Sequence, residues 1–265
     1  MLVPTIFSSN LVKSLHPKFV FALLCLISTT AWGAPFTTIE FPSEDGLTIT
    51  ADLYLAHKDR HTPFIVLFHQ AGWSRGEYRE TAPRLNAMGF NAMAVDQRSG
   101  DTVNGVENAT ARLAQAQGKP ARYLDAMADM RAALAYARGH YAQGKLIAWG
   151  SSYSSALVLV LAGENPELAD ATLSFSPGEY FTQLGKSATW IRRHAANIRK
   201  PVFITSARDE HHAWANIYAA IPAASKTSYI PASSGHHGSR ALWKEFSDST
   251  GYWQAVTAFL DQYGK

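Results

Sequence analysis

Three short stretches carry residues able to do nucleophilic chemistry, in the order serine, acid, histidine. Gly150-Ser151-Ser152-Tyr153-Ser154 ends the apolar run at 146–149, Asp209-Glu210 follow the run at 202–205, and His236-His237-Gly238 come after the run closing at Ile230. A serine hydroxyl becomes a useful nucleophile only when a neutral imidazole takes its proton and a carboxylate fixes that imidazole's tautomer. Each stretch also has a plainer reading: a serine N-cap, a carboxylate cap, a surface histidine pair. Their joint occurrence, each just past a buried run, favours catalysis. His211-His212 with His236-His237 raise a metal reading as well. Neighbouring histidines rarely bind one ion together and no carboxylates stand at ligand spacing, so neither metal nor cofactor is expected.

The elements that must position these residues are legible from hydrophobic periodicity. Residues 36–41 and 47–55 alternate apolar and polar around Ser43-Glu44-Asp45-Gly46, which predicts an opening β-hairpin with an Asp-Gly turn. Short apolar runs at 64–68, 90–95, 146–149, 171–175, 202–205 and 228–230 suit strands buried on both faces. Amphipathic stretches separate them, the clearest at 122–141, where Leu124, Met127, Met130, Leu134 and Ala137 recur at helical spacing. The alternation predicts an α/β fold, a mostly parallel sheet with helices on both faces and functional residues just beyond the carboxyl ends of its strands. No repeat or polar linker divides the chain after its leader, so residues 34–265 are expected to be one domain, with 177–199 as a small cap insertion.

The stretch Trp149-Gly150-Ser151-Ser152-Tyr153-Ser154 resembles the G-x-S-x-G nucleophile elbow of the α/β-hydrolases, with Ser154 in place of the second glycine. Val66-Leu67-Phe68-His69-Gln70-Ala71-Gly72 resembles that superfamily's oxyanion strand and loop, and Asp96-Gln97-Arg98-Ser99-Gly100 its D-x-R-x-G turn. The likeness covers nearly all of the chain after the leader and is closest to the dienelactone hydrolase-like group. True dienelactone hydrolases use a cysteine nucleophile where this chain has Ser152. The resemblance implies an α/β-hydrolase fold, Ser152 as nucleophile, Asp209 as acid with Glu210 the alternative, and His237 as base with His236 its competitor. It implies an oxyanion hole from the amides of Tyr153 and Ala71, Gln70 being the alternative, with His69 ordering that loop. Trp73, Tyr180 and Trp190, beside Tyr153, are expected to line a substrate pocket. The function implied is a serine hydrolase acting on a small-molecule ester; a peptidase or thioesterase would use the same triad, and a non-catalytic scaffold would be expected to have lost part of it.

Composition narrows the remaining classes. The 265 residues are 47% hydrophobic and 17% charged, ordinary for a globular protein. The single cysteine, Cys25, excludes an internal disulfide framework and a Cys-based zinc site. Lys13 and Lys18 precede the apolar run 19–27 and small residues follow to Ala34, the pattern of a secretory signal peptide over 1–33. The run is too short to span a bilayer, so no stable membrane insertion is expected after cleavage. Loss of the leader takes the formal charge from +3 to +1. With no larger basic cluster than 191–194 and 199–200, nucleic acid is not an expected partner. The expected location is the periplasm or the exterior, where a chain without cysteine avoids unwanted oxidation.

Overall fold

The computed structural model describes residues 1–2, 36–224 and 226–264; the expected signal peptide lies almost wholly outside the described residues. The strands are β1 (Thr37–Pro42), β2 (Thr48–Tyr54), β3 (Phe64–Phe68), β4 (Asn91–Val95), β5 (Thr102–Val103), β6 (Val106–Glu107), β7 (Leu146–Ser151), β8 (Ala171–Phe175), β9 (Val202–Thr205) and β10 (Lys226–Tyr229). The helices are α1 (Thr81–Ala87), α2 (Ala109–Ala116), α3 (Ala126–His140), α4 (Tyr153–Glu164), α5 (Trp190–Ala195), α6 (His211–Ala220) and α7 (Ser249–Leu260). Eight strands form one sheet in the order β1-β2-β4-β3-β7-β8-β9-β10. Within that sheet the β1–β2 and β2–β4 pairs are antiparallel and the other pairs are parallel.

The wholly apolar runs are central because both of their faces are covered. In β3, Phe64, Val66 and Phe68 face the layer containing α3, α4, α5 and α6, while Ile65 and Leu67 face the layer of α1 and α7. Helix α4 is buried along Tyr153–Leu161, and so carries none of the polar face of a surface helix. The opening hairpin turns through Gly46 at φ +78°, in the left-handed region that glycine enters without a Cβ clash.

Three local features differ from the sequence reading. The last strand covers 226–229 rather than 228–230, because this edge strand is half exposed and lacks the apolar run of the central ones. The helix within 122–141 starts at Ala126, after Arg122 and Asp125 have closed a turn on each other. The β5–β6 hairpin was unanticipated, although Asn104-Gly105, both at positive φ, is the sequence mark of such a turn. Within 177–199 lie a short 3-10 turn, Thr182–Leu184, and α5, whose Trp190, Ile191 and Ala195 are buried. In the parallel part of the sheet, the loops after β3, β7, β8, β9 and β10 all leave from the carboxyl edge, carrying Gln70, Ser152, Ser176, Glu210 and His237 to that side.

Candidate active site

The chain leaves β7 through a turn so tight that Ser152 adopts φ 57°, ψ −119°, a conformation uncommon for a residue with a Cβ. A Cβ at Gly150 would lie 2.5 Å from the Ser154 carbonyl oxygen, so this position accepts only glycine. Ser154, where the motif usually has its second glycine, makes use of its side chain. Its Oγ accepts the Ser151 N–H at 2.9 Å and donates to the Phe68 carbonyl at 2.9 Å, which ties the elbow to β3.

His237, not His236, meets the serine. Its Nε2 is 2.7 Å from Ser152 Oγ and its Nδ1 is 2.5 Å from Glu210 Oε1. The carboxylate on the imidazole is thus that of Glu210, which corrects the expectation of Asp209. Residues 208–210 form a 3-10 turn, in which successive side chains diverge by about 120°, so two neighbours cannot face one ring. Asp209 is exposed, and its backbone carbonyl takes a hydrogen bond from His212 Nδ1. Glu210 Oε2 accepts from Ser176 Oγ at 2.7 Å and from the Ala207 N–H at 3.2 Å. Burial pushes the Glu210 carboxyl up, but the hydrogen bonds from His237 and Ser176 outweigh it and hold the group below the usual glutamate range. His236 stacks on Phe246, centroids 3.6 Å apart, with Nε2 3.3 Å from Asp248 Oδ1.

The loop after β3 is ordered by a buried histidine. His69 Nε2 accepts the Gln97 N–H at 3.1 Å, which leaves the proton on Nδ1 to be donated to the Gln70 carbonyl at 2.8 Å. Burial lowers the His69 pKa to about 4, so the ring stays neutral, as an accepting Nε2 requires. The Gln70 N–H donates to Glu77 Oε2 at 2.8 Å, so that amide is already engaged; Ala71 follows it, half-buried. Glu77 is fully buried, and its Oε1 accepts from Ser151 Oγ at 2.7 Å. Burial pushes its carboxyl up to about 7 against the opposing hydrogen bonds of Ser151 and Gln70.

Trp73, Tyr180 and Trp190 are not among the residues bounding the cavity beside the loop that carries Ala71. Trp73 stacks on Trp243 at 5.4 Å, Trp190 is core packing set edge-on against Phe181, and Tyr180 donates its hydroxyl to the Ser176 carbonyl. The cavity beside the loop carrying Ala71 holds about 340 Å³ and is bounded by Gly72, Ser99, Gly100, Arg122, Tyr123 and Leu184. Tyr123 packs on Tyr153, the residue after Ser152, at 4.8 Å between centroids. Neither stood out in the sequence: Tyr123 falls within the stretch 122–141 that reads as an amphipathic helix, and Leu184 is a single apolar residue between Gln183 and Gly185. A larger cavity, about 780 Å³, lies at the amino ends of β3, β7 and β8, against Pro63, Lys145 and Asp170, away from Ser152. Among the described residues no group of three or more His, Cys, Asp or Glu is placed to hold a metal ion. No helix among them is long and apolar enough to cross a membrane.

A sequence model of the hydrolase family described as serine aminopeptidase, S33 matches residues 59–206. No curated protein matches the chain. Among solved structures, an esterase of Pyrococcus furiosus superposes with a TM-score of 0.66 at 16% identity, over 87% of this chain and 93% of its own. A dienelactone hydrolase of Anabaena variabilis gives 0.64 at 14%, over 87% and 100%. Thermogutta terrifontis esterase 2, phosphoramylated by tabun, gives 0.64 at 16%, over 87% and 95%. At these identities the likeness is one of fold.

Proposed function

Since the chain belongs to the serine aminopeptidase S33 family of α/β-hydrolases, we propose that it is an exported carboxylic-ester hydrolase working through an acyl-enzyme on Ser152. The observation that carries this reading is the continuous contact from Ser152 Oγ through His237 to Glu210. As Oγ attacks the ester carbonyl, its proton passes to His237 Nε2, and the imidazolium is stabilised by Glu210 through Nδ1–H. The developing oxyanion is held by the Tyr153 amide at the start of α4 and by the Ala71 amide, since that of Gln70 is spent on Glu77. His237 then returns the proton to the leaving alcohol. Water, deprotonated by the same nitrogen, hydrolyses the acyl-enzyme.

The 340 Å³ cavity supports an ester over the peptide substrate that the family's description suggests. It takes a compact apolar or aryl group against Tyr123 and Leu184. An aminopeptidase must hold its substrate's ammonium, which calls for a carboxylate. The lining of this cavity offers none; its one charged residue, Arg122, is already paired with Asp125. The leader pattern supports export, with a mature chain beginning near Ala34 in one domain to residue 265.

One experiment tests enzyme and export together. The protein is recovered from the periplasm of an expressing bacterium, treated with a fluorophosphonate and weighed intact. The expected mass is that of a chain starting near Ala34 plus one adduct, and Ser152→Ala takes no adduct. That variant loses about 10⁴-fold or more in kcat on a short-chain ester. An adduct retained by Ser152→Ala would move the nucleophile, and a mass still including Cys25 would end the export reading.

A further inference from the structure

The triad does not account for Glu77, a fully buried carboxyl on the 3-10 turn Arg75–Tyr78. An ionisable group in such a place costs stability unless its oxygens are matched by donors. Both are. Oε2 takes the Gln70 N–H at 2.8 Å and Oε1 the Ser151 hydroxyl at 2.7 Å. That hydroxyl in turn accepts the Ser239 N–H at 2.8 Å.

The three partners are not scattered. Gln70 precedes Ala71 in the oxyanion loop, Ser151 precedes Ser152 in the elbow, and Ser239 lies two residues past His237. The approach is close: a Cβ at Gly238 would come 2.6 Å from Ser151 Oγ and 2.7 Å from Gln70 Oε1. Gly238 also sits at φ 71°, so both space and conformation reserve it for glycine.

We infer that Glu77 is a positioning residue: its carboxyl fixes the oxyanion loop, the serine elbow and, through Ser151, the histidine loop in one mutual register. The inference rests on the proposed role of Ser152. Glu77 touches neither Ser152 nor the cavity, so it acts on the alignment of donors and base at the reacting carbonyl rather than on binding of the ground state. Misplacement of about 1 Å between such groups costs on the order of 10²-fold in rate.

The test compares Glu77→Ala, Glu77→Gln, Ser151→Ala and Ser152→Ala on one chromogenic ester, with thermal unfolding of each. Glutamine keeps both contacts, its carbonyl accepting from the Gln70 N–H and its amide donating to Ser151 Oγ, with the direction of the second bond reversed. The expected result is a kcat lowered about 10²-fold in Glu77→Ala and about tenfold in Ser151→Ala. KM stays within a few-fold of the parent in both, and Glu77→Gln recovers most of the lost kcat. Should Glu77→Ala not fold, Ser151→Ala and Glu77→Gln carry the same contrast. A folded Glu77→Ala or Ser151→Ala with parental kcat overturns the inference, as does a Glu77→Gln as slow as the alanine variant. These results leave the nucleophile standing as long as Ser152→Ala is dead; turnover by Ser152→Ala overturns both readings.

Discussion

Two carboxyls, Glu210 and Glu77, are wired to the histidine loop in the same way and are shifted in opposite directions. The consecutive amides of Gly238 and Ser239 each donate to a serine hydroxyl, Ser176 Oγ and Ser151 Oγ. Each hydroxyl donates onward, Ser176 to Glu210 and Ser151 to Glu77. Glu210 retains 27% side-chain exposure and has the His237 ring against its other oxygen, so its carboxyl is held below the usual range. Glu77 has no exposure and no ring beside it; Arg240 is the cation that pulls it down, and burial prevails. Equal hydrogen bonding therefore does not set equal charge: hydration and the imidazole decide. The exposed carboxyl keeps the charge that an imidazolium needs, while the sealed one serves by shape and bonding.

Exchanging the acid is the strongest way to break this comparison. Glu210→Gln puts an amide against His237 Nδ1 and favours the wrong tautomer, a change that costs about 10⁴-fold in kcat in a comparable triad. Asp209→Asn is expected to leave kcat within a few-fold of the parent. Steady-state kinetics on one ester checks the pair, and an inactive Asp209→Asn beside an active Glu210→Gln would return the acid to Asp209.

The second contrast is one of stability against pH. The Glu77 carboxyl lies near 7 when folded and at an ordinary 4.5 when unfolded. Between those values the folded chain holds the extra proton, so the contribution of Glu77 to stability falls as pH rises from 4.5 to 7, and the loss is complete above 7. A separation of this size corresponds to about 3 kcal/mol. Glu77→Gln cannot titrate and escapes that loss. Its Tm is therefore expected to gain on the parent by roughly 6 to 12 °C between pH 4.5 and 8, since 1 kcal/mol is worth about 2–4 °C at this size. Melting curves at five or six pH values decide it; a Tm difference that stays flat across the range means Glu77 titrates as an ordinary glutamate.

The contrast also marks what was readable before the structure. Central strands such as Phe64–Phe68, Ala171–Phe175 and Val202–Thr205 are delimited in the sequence because burial on both faces demands unbroken apolar runs. The elbow was legible at Ser152 because a tight turn permits only small neighbours. The choice within Asp209-Glu210 was not, since it depends on the rotation of a 3-10 turn, and adjacent carboxylates differ little as sequence. Glu77 and Ser176 carry no signal at all. Trp-Ser-Arg-Gly-Glu-Tyr reads as a polar loop, and the approach of chain segments 74 and 166 residues away helps make its glutamate a buried centre. Trp190 failed in the other direction, as an aromatic residue among polar ones that is nonetheless core.

The smallest effect should come from the serine under the exposed carboxyl. Ser176 follows β8 at φ 59° and is fully buried, with its hydroxyl between the Gly238 N–H and Glu210 Oε2. Removing it leaves Glu210 with the Ala207 amide as its remaining anchor on that oxygen. A hydrogen bond to a charged group is worth about 1.5–3 kcal/mol, but the His237 contact persists and water can reach the partly exposed carboxyl, so only part of that loss should be felt. Ser176→Ala is expected to lower kcat/KM about tenfold. Alanine keeps the strain of a Cβ at positive φ, whereas Ser176→Gly removes strain and hydroxyl together. The glycine variant should therefore match alanine in rate yet melt higher. If both variants keep the parental rate, His237 and the Ala207 amide suffice to hold Glu210, and the Ser176 bridge is not the functional counterpart of the one through Ser151.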